Sequence, residues 1–490
     1  MTYNASRRRV LQTTGLGIAA LTTGLTGTAS AAESRNEWSQ VARDAANTGY
    51  NPHAEGVESE PTVDWRFESE DAREIYPPAV ADGVLVLSTS EEVKAFESDS
   101  GLELWTYDDD QFMTPVAVSE DLVFVGTRDG LRALTRMFGS EEWFFETDIG
   151  LFNPPTVRDG TVYVGHHESM LAIDAASGQL DWELPTMVST KIAVSEQMIW
   201  SGAESLFANM LLTPDIVAGS AIDGEEMARA GGWLAYSAPA NWMQIGSPTL
   251  SNERIGYMPG NGVASLDAVD YLEQVFQADP LGDDSTEIAP RWAAMQDGAV
   301  PYSPVLADDQ AIFGTGTEIE DVQDAWRDTA GTVHAVASAT GETDWTVETD
   351  GPINAHPAAT ETTIYVASDD GYLYALERSS GDQRWRQFVG EGIGSPVVAG
   401  DRVFITSDES GLLALEAAPD DPNDEDGANG DDDDTETDPE TDRQNVDTDS
   451  ETGEASDDGF GPGFTIPGAL AAIGGLGYVF NRRDQSDRTE

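Results

Sequence analysis

The sequence of 490 residues contains no cysteine and only two lysines, Lys94 and Lys191. The absence of cysteine excludes disulfide bonds, thiolate zinc sites, covalent attachment of haem through paired cysteines, and cysteine nucleophiles. Arginine therefore carries nearly all of the positive charge. A chain of this length can bury a core large enough to fold without cross-links.

Acidic side chains greatly outnumber basic ones: 90 Asp and Glu stand against 25 Lys and Arg, for a formal net charge of −65. Such a surface repels itself in dilute buffer, but at molar salt the Debye length falls to about 3 Å and screens the repulsion. The composition therefore favours a halophile, most simply an archaeon, over an acidic protein of an ordinary cytosol. Binding to the phosphates of DNA or RNA is not expected.

The N-terminus has the pattern of an export signal. Arg7 and Arg8 precede an apolar, glycine-containing stretch from Gly15 to Leu25, and Ala29 and Ala31 form a small-x-small cleavage site. This order matches a twin-arginine signal peptide. A helix of the mature protein explains the stretch less well, because the paired arginines and the cleavage site occur together. The signal over residues 1–31 predicts passage through the twin-arginine translocase.

The C-terminal part has the pattern of a stalk followed by an anchor. Residues 419–458 are mostly Asp, Glu, Thr, Gly, Pro and Asn, a composition that predicts a disordered acidic linker. An apolar run from Phe464 to Phe480 follows, at the short limit for crossing a bilayer, and Arg482 and Arg483 come directly after it. Arginines at that end predict that the rest of the chain lies outside the membrane.

A tripeptide between the stalk and the apolar run, Pro462-Gly463-Phe464, resembles the PGF-type C-terminal sorting signal of haloarchaeal surface proteins. The resemblance covers residues 459–490. It implies cleavage by an archaeosortase and replacement of the hydrophobic helix by a lipid. The alternative is a plain C-terminal membrane anchor. Both interpretations predict a protein held on the outer face of the cytoplasmic membrane.

The residues between these ends repeat one unit. Runs of alternating apolar and polar residues are interrupted by Asp-Gly, Gly-Asp or Ser-Gly, and each unit ends in a tryptophan that follows a glycine. Such alternation and such turns predict antiparallel strands, and four strands in about 40 residues match one propeller blade. The repeat tryptophans are Trp65, Trp105, Trp143, Trp182, Trp345 and Trp385.

The number of blades follows from the starts of the first strands. They lie near Pro78, Pro115, Pro155, Lys191, Pro248, Pro304, Pro357 and Pro396. The last unit lacks its tryptophan strand, whereas a spare strand, Thr62–Phe67, precedes the first unit. Pairing of the two would close the ring and leave no exposed edge there. The sequence therefore predicts an all-β, eight-bladed propeller of four-stranded antiparallel blades over residues 61–418, with a leader at 32–60.

Each unit contains Ala followed by Leu or Ile, then a glycine, and then the tryptophan. This pattern closely resembles the quinoprotein-type (PQQ) repeat. Near the start of the repeats, Trp38, Asp44 and Asn47-Thr48-Gly49 resemble the leader segment of that family. The resemblance spans residues 38–416 and implies that the tryptophans dock between neighbouring blades. For the alcohol dehydrogenases of the family it also implies a quinone in the central funnel, a calcium or lanthanide ion held by Glu and Asn, and an Asp base. No stretch matches those segments, and the vicinal disulfide of many members is impossible here. Other members act as scaffolds without the cofactor.

The histidines and the acidic clusters are weak candidates for a site. His166 and His167 replace the Asp-Asp turn of a sister unit, but adjacent residues of a strand point to opposite faces, which favours a variant turn over a metal site. His356 precedes an innermost strand without a partner at a recognisable spacing. Acidic groups such as Asp283-Asp284 and Glu318–Asp321 lack the loop pattern of a calcium site. We therefore predict no catalytic residue and no metal.

The fourth to sixth units are longer than the others, with extra material at 203–229, 278–299 and 318–329. Additions to a repeat protein map to loops, often on its binding face. We predict that these loops form a cap over one end of the propeller. The tryptophans assigned to this cap, outside the repeat pattern, are Trp242, Trp292 and Trp326.

The sequence favours a non-enzymatic binding or scaffold protein of the cell surface. We expect a monomer without a cofactor, and an envelope protein or a small extracellular ligand as partner. The first alternative is a dehydrogenase that uses PQQ and calcium in the funnel. A hydrolase or lyase that uses carboxylates of the channel is the second. The fold does not decide among them, because one fold hosts many functions.

Overall fold

The computed structural model describes residues 37–419 with internal gaps. The gaps are 69–74, 109–110, 120, 186–187, 189, 196–197, 207–211, 221–225, 232–246, 252–254, 261, 268–290, 296–299, 301 and 317–329. The described residues form strands and turns, and none of them belongs to a helix long and apolar enough to cross a membrane.

The strands form eight four-stranded antiparallel sheets, each one blade of a propeller. The prediction of an all-β, eight-bladed propeller is confirmed. Blades 1 to 4 consist of β2 (Ala79–Ala81), β3 (Val84–Ser88), β4 (Glu92–Glu97) and β5 (Glu103–Asp108); β6 (Ala117–Ser119), β7 (Leu122–Thr127), β8 (Gly130–Thr135) and β9 (Glu141–Glu146); β10 (Thr156–Arg158), β11 (Thr161–Gly165), β12 (Met170–Asp174) and β13 (Leu180–Leu184); and β14 (Ala193–Val194), β15 (Met198–Leu206), β16 (Leu212–Ser220) and β17 (Glu226–Gly231).

The second half of the ring repeats this order, and its last blade takes its outer strand from the start of the chain. Blades 5 to 8 consist of β18 (Thr249–Leu250), β19 (Ile255–Gly260), β20 (Gly262–Asp267) and β21 (Trp292–Met295); β22 (Val305–Ala307), β23 (Gln310–Thr315), β24 (Gly331–Ala337) and β25 (Thr343–Thr349); β26 (Ala358–Ala359), β27 (Thr363–Ala367), β28 (Tyr372–Glu377) and β29 (Gln383–Phe388); and β30 (Val397–Ala399), β31 (Arg402–Ser407), β32 (Gly411–Ala417) and β1 (Pro61–Phe67).

Ring closure depends on the pairing of β1 with β32. Pro61 lies opposite Ala417 and Phe67 opposite Leu412, in antiparallel register. The predicted partnership of the spare N-terminal strand with the last unit is therefore confirmed. Because the first and last parts of the chain share one sheet, the ring cannot open without breaking the hydrogen bonds of a blade.

The core lies between the blades. Strands alternate in side-chain direction, and the short innermost strands are buried on both faces, as the fully buried β2 shows. One buried cluster joins Val86 and Ala95 of blade 1 to Val118 and Val123 of blade 2. Burial of this apolar surface contributes about 25 cal/mol per Å² to the free energy of folding. Neighbouring blades therefore stabilise each other.

A tryptophan on the outer strand of one blade docks against the turn between the third and fourth strands of the next blade, here called the corner. The indole Nε1–H of Trp65 donates to the carbonyl of Ser98 at 3.0 Å, and that of Trp105 donates to the carbonyl of Arg136 at 2.7 Å. The other tryptophans with this bond are Trp143, Trp292 and Trp345, which donate to Ala175, Ser338 and Arg378.

Trp292 belongs to this series, so its assignment to a binding cap is wrong. It opens β21, the outer strand of blade 5, and its ring lies against Gly341 at the corner of blade 6. The physical reason is the position of the additional residues. Residues 268–291, most of which lie outside the described part of the chain, separate β20 from β21 along the sequence, so they precede the tryptophan strand rather than follow it.

The prediction that the first of the three insertions forms a loop is also wrong. Residues 203–229 are largely occupied by β15, β16 and β17, and the first two of these are nine-residue strands paired along their whole length. The extra length of blade 4 therefore extends a hairpin of the blade itself. The third insertion, 318–329, lies outside the described residues, as do Trp242 and Trp326.

Gly101→Ala tests the docking that closes the ring. Gly101 has φ +68° and a Cβ there would lie 2.6 Å from Cδ2 of Trp65, whereas Gly83 in the same blade has φ +76° and no atom within 4 Å. Both substitutions strain the backbone, but only the methyl group added at Gly101 displaces the indole. We expect Gly101→Ala to lower the free energy of unfolding by about 1–3 kcal/mol more than the control Gly83→Ala. Urea unfolding in molar KCl measures the difference, and equal losses would contradict the docking.

Candidate functional site at the propeller axis

The leader, residues 37–57, runs around the axis and bonds the innermost strand of each blade in turn. It takes the place that a partner strand would have, because the inner edge of each blade is otherwise unpaired. The contacts come from its backbone at six blades and from the side chains of Gln40 and Asn51 at blades 3 and 8. The pairs, from blade 1 to blade 8, are Trp38 with Val80, Ser39 with Val118, Gln40 with Val157, Ala45 with Val194, Ala46 with Leu250, Thr48 with Leu306, Asn51 with Ala359, and Asn51 with Val398.

Three side chains of the leader complete these contacts. Gln40 both accepts from the amide of Val157 at 3.0 Å and donates to its carbonyl at 3.2 Å. The Nδ2 group of Asn47 donates to the carbonyl of Pro248 at 2.9 Å. Asn51 donates to the carbonyl of Val398 at 3.1 Å. These amides are buried, and each satisfies backbone groups of a different part of the ring.

The tight path of the leader requires left-handed backbone at residues other than glycine. Ala42, Arg43 and Asn47 have φ of 55°, 74° and 61°. Such conformations cost of order 1–2 kcal/mol each and persist only where surrounding contacts impose them. The Asp44 carboxylate holds the coil by accepting from the amide of Thr48 at 3.0 Å. The leader is therefore a preformed floor that spans one end of the axial channel.

The floor lies at the face of the propeller that carries the turns between first and second strands. Glu37 accepts from the amide of Asp82 in such a turn at 3.1 Å, and Gly56 donates to the carbonyl of Gly400 in another at 3.0 Å. The corners lie at the same end, since Ser98 donates to Gly83 at 3.0 Å. We call this end the turn face and the opposite end the loop face.

A ring of eight residues lies toward the loop face, three positions before each leader-bonded residue. Blades 1 to 3 contribute only proline, and blades 4 to 8 contribute polar side chains. The members of this axial ring are Pro77, Pro115, Pro154, Lys191, Ser247, Ser303, His356 and Ser395. Neighbours in the polar half are bonded: Lys191 donates its amide to Ser247 Oγ at 3.1 Å, and His356 donates to Ser395 Oγ at 3.0 Å.

Lys191 is the charged member of this ring, and it is buried, with 3% of its surface exposed. Its ammonium group donates to Oδ1 of Asn47 and approaches the carbonyl of Asp44 at 3.5 Å, so it ties blade 4 to the floor. Burial lowers the pKa of Lys191 to about 7, and the Asp44 carboxylate opposes part of that shift. A lysine in this state exchanges its proton near neutral pH.

His356 is neutral at the axis. Burial lowers its pKa to about 3, the positive charge of Lys191 acts in the same direction, and a backbone hydrogen bond to Ser303 opposes it. Its ring lies 4.7 Å from that of Tyr302. Within the described part of the chain, the Nδ1 atom of His356 and Oγ of Ser303 are buried without a hydrogen-bond partner. The polar half of the ring therefore contains two buried polar atoms with unused hydrogen-bonding capacity.

Two other histidines of the described blades have structural roles. Nδ1 of His166 accepts from the amides of Glu168 and Ser169 at 3.1 and 3.2 Å, which forms the variant turn that the sequence favoured. Burial lowers the pKa of His334 to about 4, and its ring stacks on Phe313 at 5.2 Å. Each imidazole therefore serves the packing of its own blade.

The donor set of the axis does not fit a metal-bound quinone. A calcium or lanthanide ion needs several carboxylate or carbonyl oxygens, whereas the axial ring offers proline, hydroxyl, imidazole and ammonium groups. Over the described parts of residues 37–419, no group of three or more His, Asp or Glu side chains is placed to hold an ion. Asp44, the nearest carboxylate to Lys191, is already bonded to Thr48 and Arg43.

The structure describes only some of the candidate residues that the sequence predicts. The repeat tryptophans lie at the blade interfaces, and the leader residues Trp38, Asp44 and Asn47 lie in the floor. Lys191 was recognised only as the start of a strand, although its rarity in the chain was a usable signal. The signal and sorting residues lie outside the described part: Arg7, Arg8, Ala29, Ala31, Pro462, Gly463 and Phe464.

The tryptophan docking, the closing strand and the leader floor define a propeller of quinoprotein-type repeats. A family profile described as outer membrane protein assembly factor BamB matches residues 62–231 and 329–419, more than half of the chain. The chain belongs to this family.

Solved structures share the fold at low sequence identity. The chain is similar to BamB from Moraxella catarrhalis, with 18% identity, a TM-score of 0.53, and 73% of this chain and 98% of that chain covered. It is also similar to the quinohemoprotein alcohol dehydrogenase ADHIIG from Pseudomonas putida, with 16% identity, a TM-score of 0.60, and 78% and 80% covered. Such similarities show a common architecture.

One curated relative is an enzyme, a 1-butanol dehydrogenase (cytochrome c) from Thauera butanivorans, 31% identical over 183 residues. The match covers 32% of this chain and 26% of the relative. It therefore spans about a quarter of the dehydrogenase, and the activity of that whole protein does not follow for this chain.

Lys191→Met tests the buried ammonium group. The pKa of Lys191 is lower in the folded state, about 7, than the ordinary 10.5, so the unfolded chain binds the proton more tightly. The stability of the native protein should therefore rise as pH increases from about 7 toward 10.5. Urea unfolding at several pH values should show a weaker rise in Lys191→Met. The same slope in both proteins would show that the amine is not perturbed.

Gln40→Ala tests the strapping of the blades by the leader. The substitution removes two buried hydrogen bonds to Val157 and leaves its amide and carbonyl unpaired. We expect a loss of about 1–3 kcal/mol in the free energy of unfolding. Gln383→Ala, on an exposed strand position, is the matched control and should stay within about 0.5 kcal/mol of the native protein. Similar effects of both would mean that the leader is not required for stability.

Proposed function

We propose that this protein is a non-enzymatic binding or scaffold propeller on the outer surface of the cell. The observation that carries the proposal is the floor of the axial channel, which engages six blades through backbone hydrogen bonds and blades 3 and 8 through the side chains of Gln40 and Asn51. A ring tied together at its axis is a rigid support whose faces and rim present fixed surfaces. Rigid presentation of binding loops is what propeller scaffolds supply.

The chemistry of the axis supports binding more than catalysis. Lys191 is engaged by Asn47 and Asp44, and His356, whose pKa is lowered to about 3, is too weak a base to take up a proton at neutral pH. General acid–base catalysis needs groups that reach the reacting atoms with pKa values near the working pH. Of the two, Lys191 meets the second condition, and its contacts are to the floor.

The second candidate is a quinone-dependent dehydrogenase. The similarity to quinohemoprotein and butanol dehydrogenases favours it. The donor set described above opposes it, since the axial ring supplies no carboxylate for a calcium ion beside a quinone. The two functions make opposite predictions about cofactor uptake.

Incubation with PQQ and calcium in molar KCl separates these candidates. For a binding or scaffold protein we expect no stoichiometric retention of the quinone after gel filtration, by absorbance and by native mass measurement. A quinoprotein alcohol dehydrogenase treated in the same buffer is the positive control. Retention of one quinone per chain, together with reduction of a dye by added alcohol, would replace our proposal by the dehydrogenase.

The surface location is proposed from the signal and sorting patterns at the two ends of the sequence. Paired Arg7 and Arg8 fit export of a folded protein, and Pro462-Gly463-Phe464 fits attachment to the membrane. We expect protease added to intact cells to degrade the native protein. The Arg7→Lys, Arg8→Lys double variant should remain inside the cell and be protected from the protease. The control double variant Arg66→Lys, Arg158→Lys should remain accessible to the protease. Equal protection of all three would exclude a surface location.

A further inference from the structure

Seven large apolar side chains are exposed among the described residues, and five of them lie in the corners of three consecutive blades or in the first two residues of the outer strand that follows. Phe138 is 78% exposed, Leu102 is 62% exposed and Met137 is 51% exposed. We call the five residues of blades 1 to 3 the corner patch: Leu102, Leu104, Met137, Phe138 and Leu180. The other two exposed residues, Phe152 and Phe388, lie outside the corners.

The fold does not require apolar residues at these positions. The two residues before the corner glycine are Met137 and Phe138 in blade 2, but Ala339 and Thr340 in blade 6. In blade 7 both positions are serine. Since these turns dock in the same way against a tryptophan, Met137 and Phe138 have no role in the docking itself.

The corners of the patch adjoin one another along the rim. Gly139, next to Phe138, packs on the ring of Trp105, and Trp105 follows Leu104 in the chain. Gly178, near Leu180, packs on Trp143 of blade 2 in the same manner. The patch is therefore a row of protruding turns rather than a concave groove.

Both ends of the described chain leave the propeller on the same face as the patch. Glu37 is bonded to a turn of blade 1, and Ala418 donates its amide to Glu60 at 3.0 Å. The corner of blade 1, which carries Leu102, packs on Trp65 of the strand that pairs with the last strand. Residues 420–490, with the apolar run near their end, thus begin beside the corner patch.

We propose that the corner patch rests on the lipid bilayer and orients the propeller with its turn face toward the membrane. This inference rests on the proposed surface location. Protruding tips that carry Phe, Met and Leu can enter the headgroup region of a bilayer, whereas a flat or concave surface suits a protein partner better. The tether leaves from the same rim, which holds these turns near the lipid.

Acidic residues flank the patch and give the contact an unusual salt dependence. Asp99, Glu103, Glu141 and Glu142 lie in or next to the same corners. They repel anionic lipids at low salt, and molar salt screens this repulsion while it strengthens the burial of apolar groups. Association of the patch with lipid should therefore increase with salt concentration, opposite to the behaviour of basic peripheral proteins.

A fluorescent label at the patch tests the proposal, and the absence of native cysteine makes the labelling specific. The full chain with Met137→Cys is labelled with an environment-sensitive dye and added to vesicles of phosphatidylcholine and phosphatidylglycerol in molar KCl. We expect a severalfold rise in fluorescence, which brominated lipids quench. Ala339→Cys, at the equivalent position of blade 6, is the matched control and should show no rise.

The outcomes separate this inference from the proposed function. If the chain floats with the vesicles but the fluorescence of labelled Met137→Cys does not change, the membrane contact of the patch is refuted. The proposed attachment through the C-terminal segment is then still supported. Failure to float would contradict the proposed attachment itself. A rise that depends on protein concentration, without quenching by brominated lipid, would assign the patch to a second copy of the chain. A rise that decreases with salt would also refute the proposal.

Discussion

Hydrogen bonds between the leader and the backbone of the innermost strands are the interaction on which the molecule depends. Each inner strand has only two or three residues and an edge that would otherwise lack a partner, as β14 and β26 illustrate. The leader pairs with all of them, at the cost of left-handed backbone at Ala42 and Arg43. It also replaces a missing corner, because Trp385 donates its indole N–H to Val57 where blade 8 has no such turn. The leader thus covers one end of the channel and supplies the docking site between blades 7 and 8, while β1 closes the ring.

The same arrangement explains why the axis is chemically asymmetric. Proline at the ring positions of blades 1 to 3 has no N–H, so it cannot donate a hydrogen bond to a neighbouring blade. The amides of Lys191 and His356 do so, to Ser247 and Ser395 of the next blade. The buried cation of the axial ring then finds its oxygen partners in the floor, at Asn47 and Asp44. An ammonium group that is bonded in this way stabilises the leader in place, which agrees with a structural axis more than with a catalytic one.

Much of this fold could be predicted from the sequence because the repeat has local signals. Inner strands start at proline, corners contain glycine, and Thr62–Phe67 had no partner within its own unit. The docking role of Trp292 does not follow from the repeat spacing, because a long connection precedes its strand. After such a connection, distance along the chain no longer indicates the position of a residue within the blade. The sequence indicates the leader only through its resemblance to the family, and it does not indicate that the leader forms a floor. Backbone hydrogen bonds such as that of Ala45 do not require a particular side chain, so no sequence pattern reveals them. The unpartnered Nδ1 of His356 depends on packing between blades, which no local pattern encodes.

The contacts that hold the ring are also those that salt affects least. Exposed ion pairs are worth about 0–1 kcal/mol and weaken further in brine. Tryptophan packing and amide hydrogen bonds are not screened, and apolar burial becomes stronger in many concentrated salts. The arginines follow the same rule: Arg378 donates to the carbonyls of Ala307 and Glu361 as well as to Asp308. A fold secured in this way tolerates the acidic composition of a chain whose formal net charge is −65, because its stability does not rest on neutralising that charge.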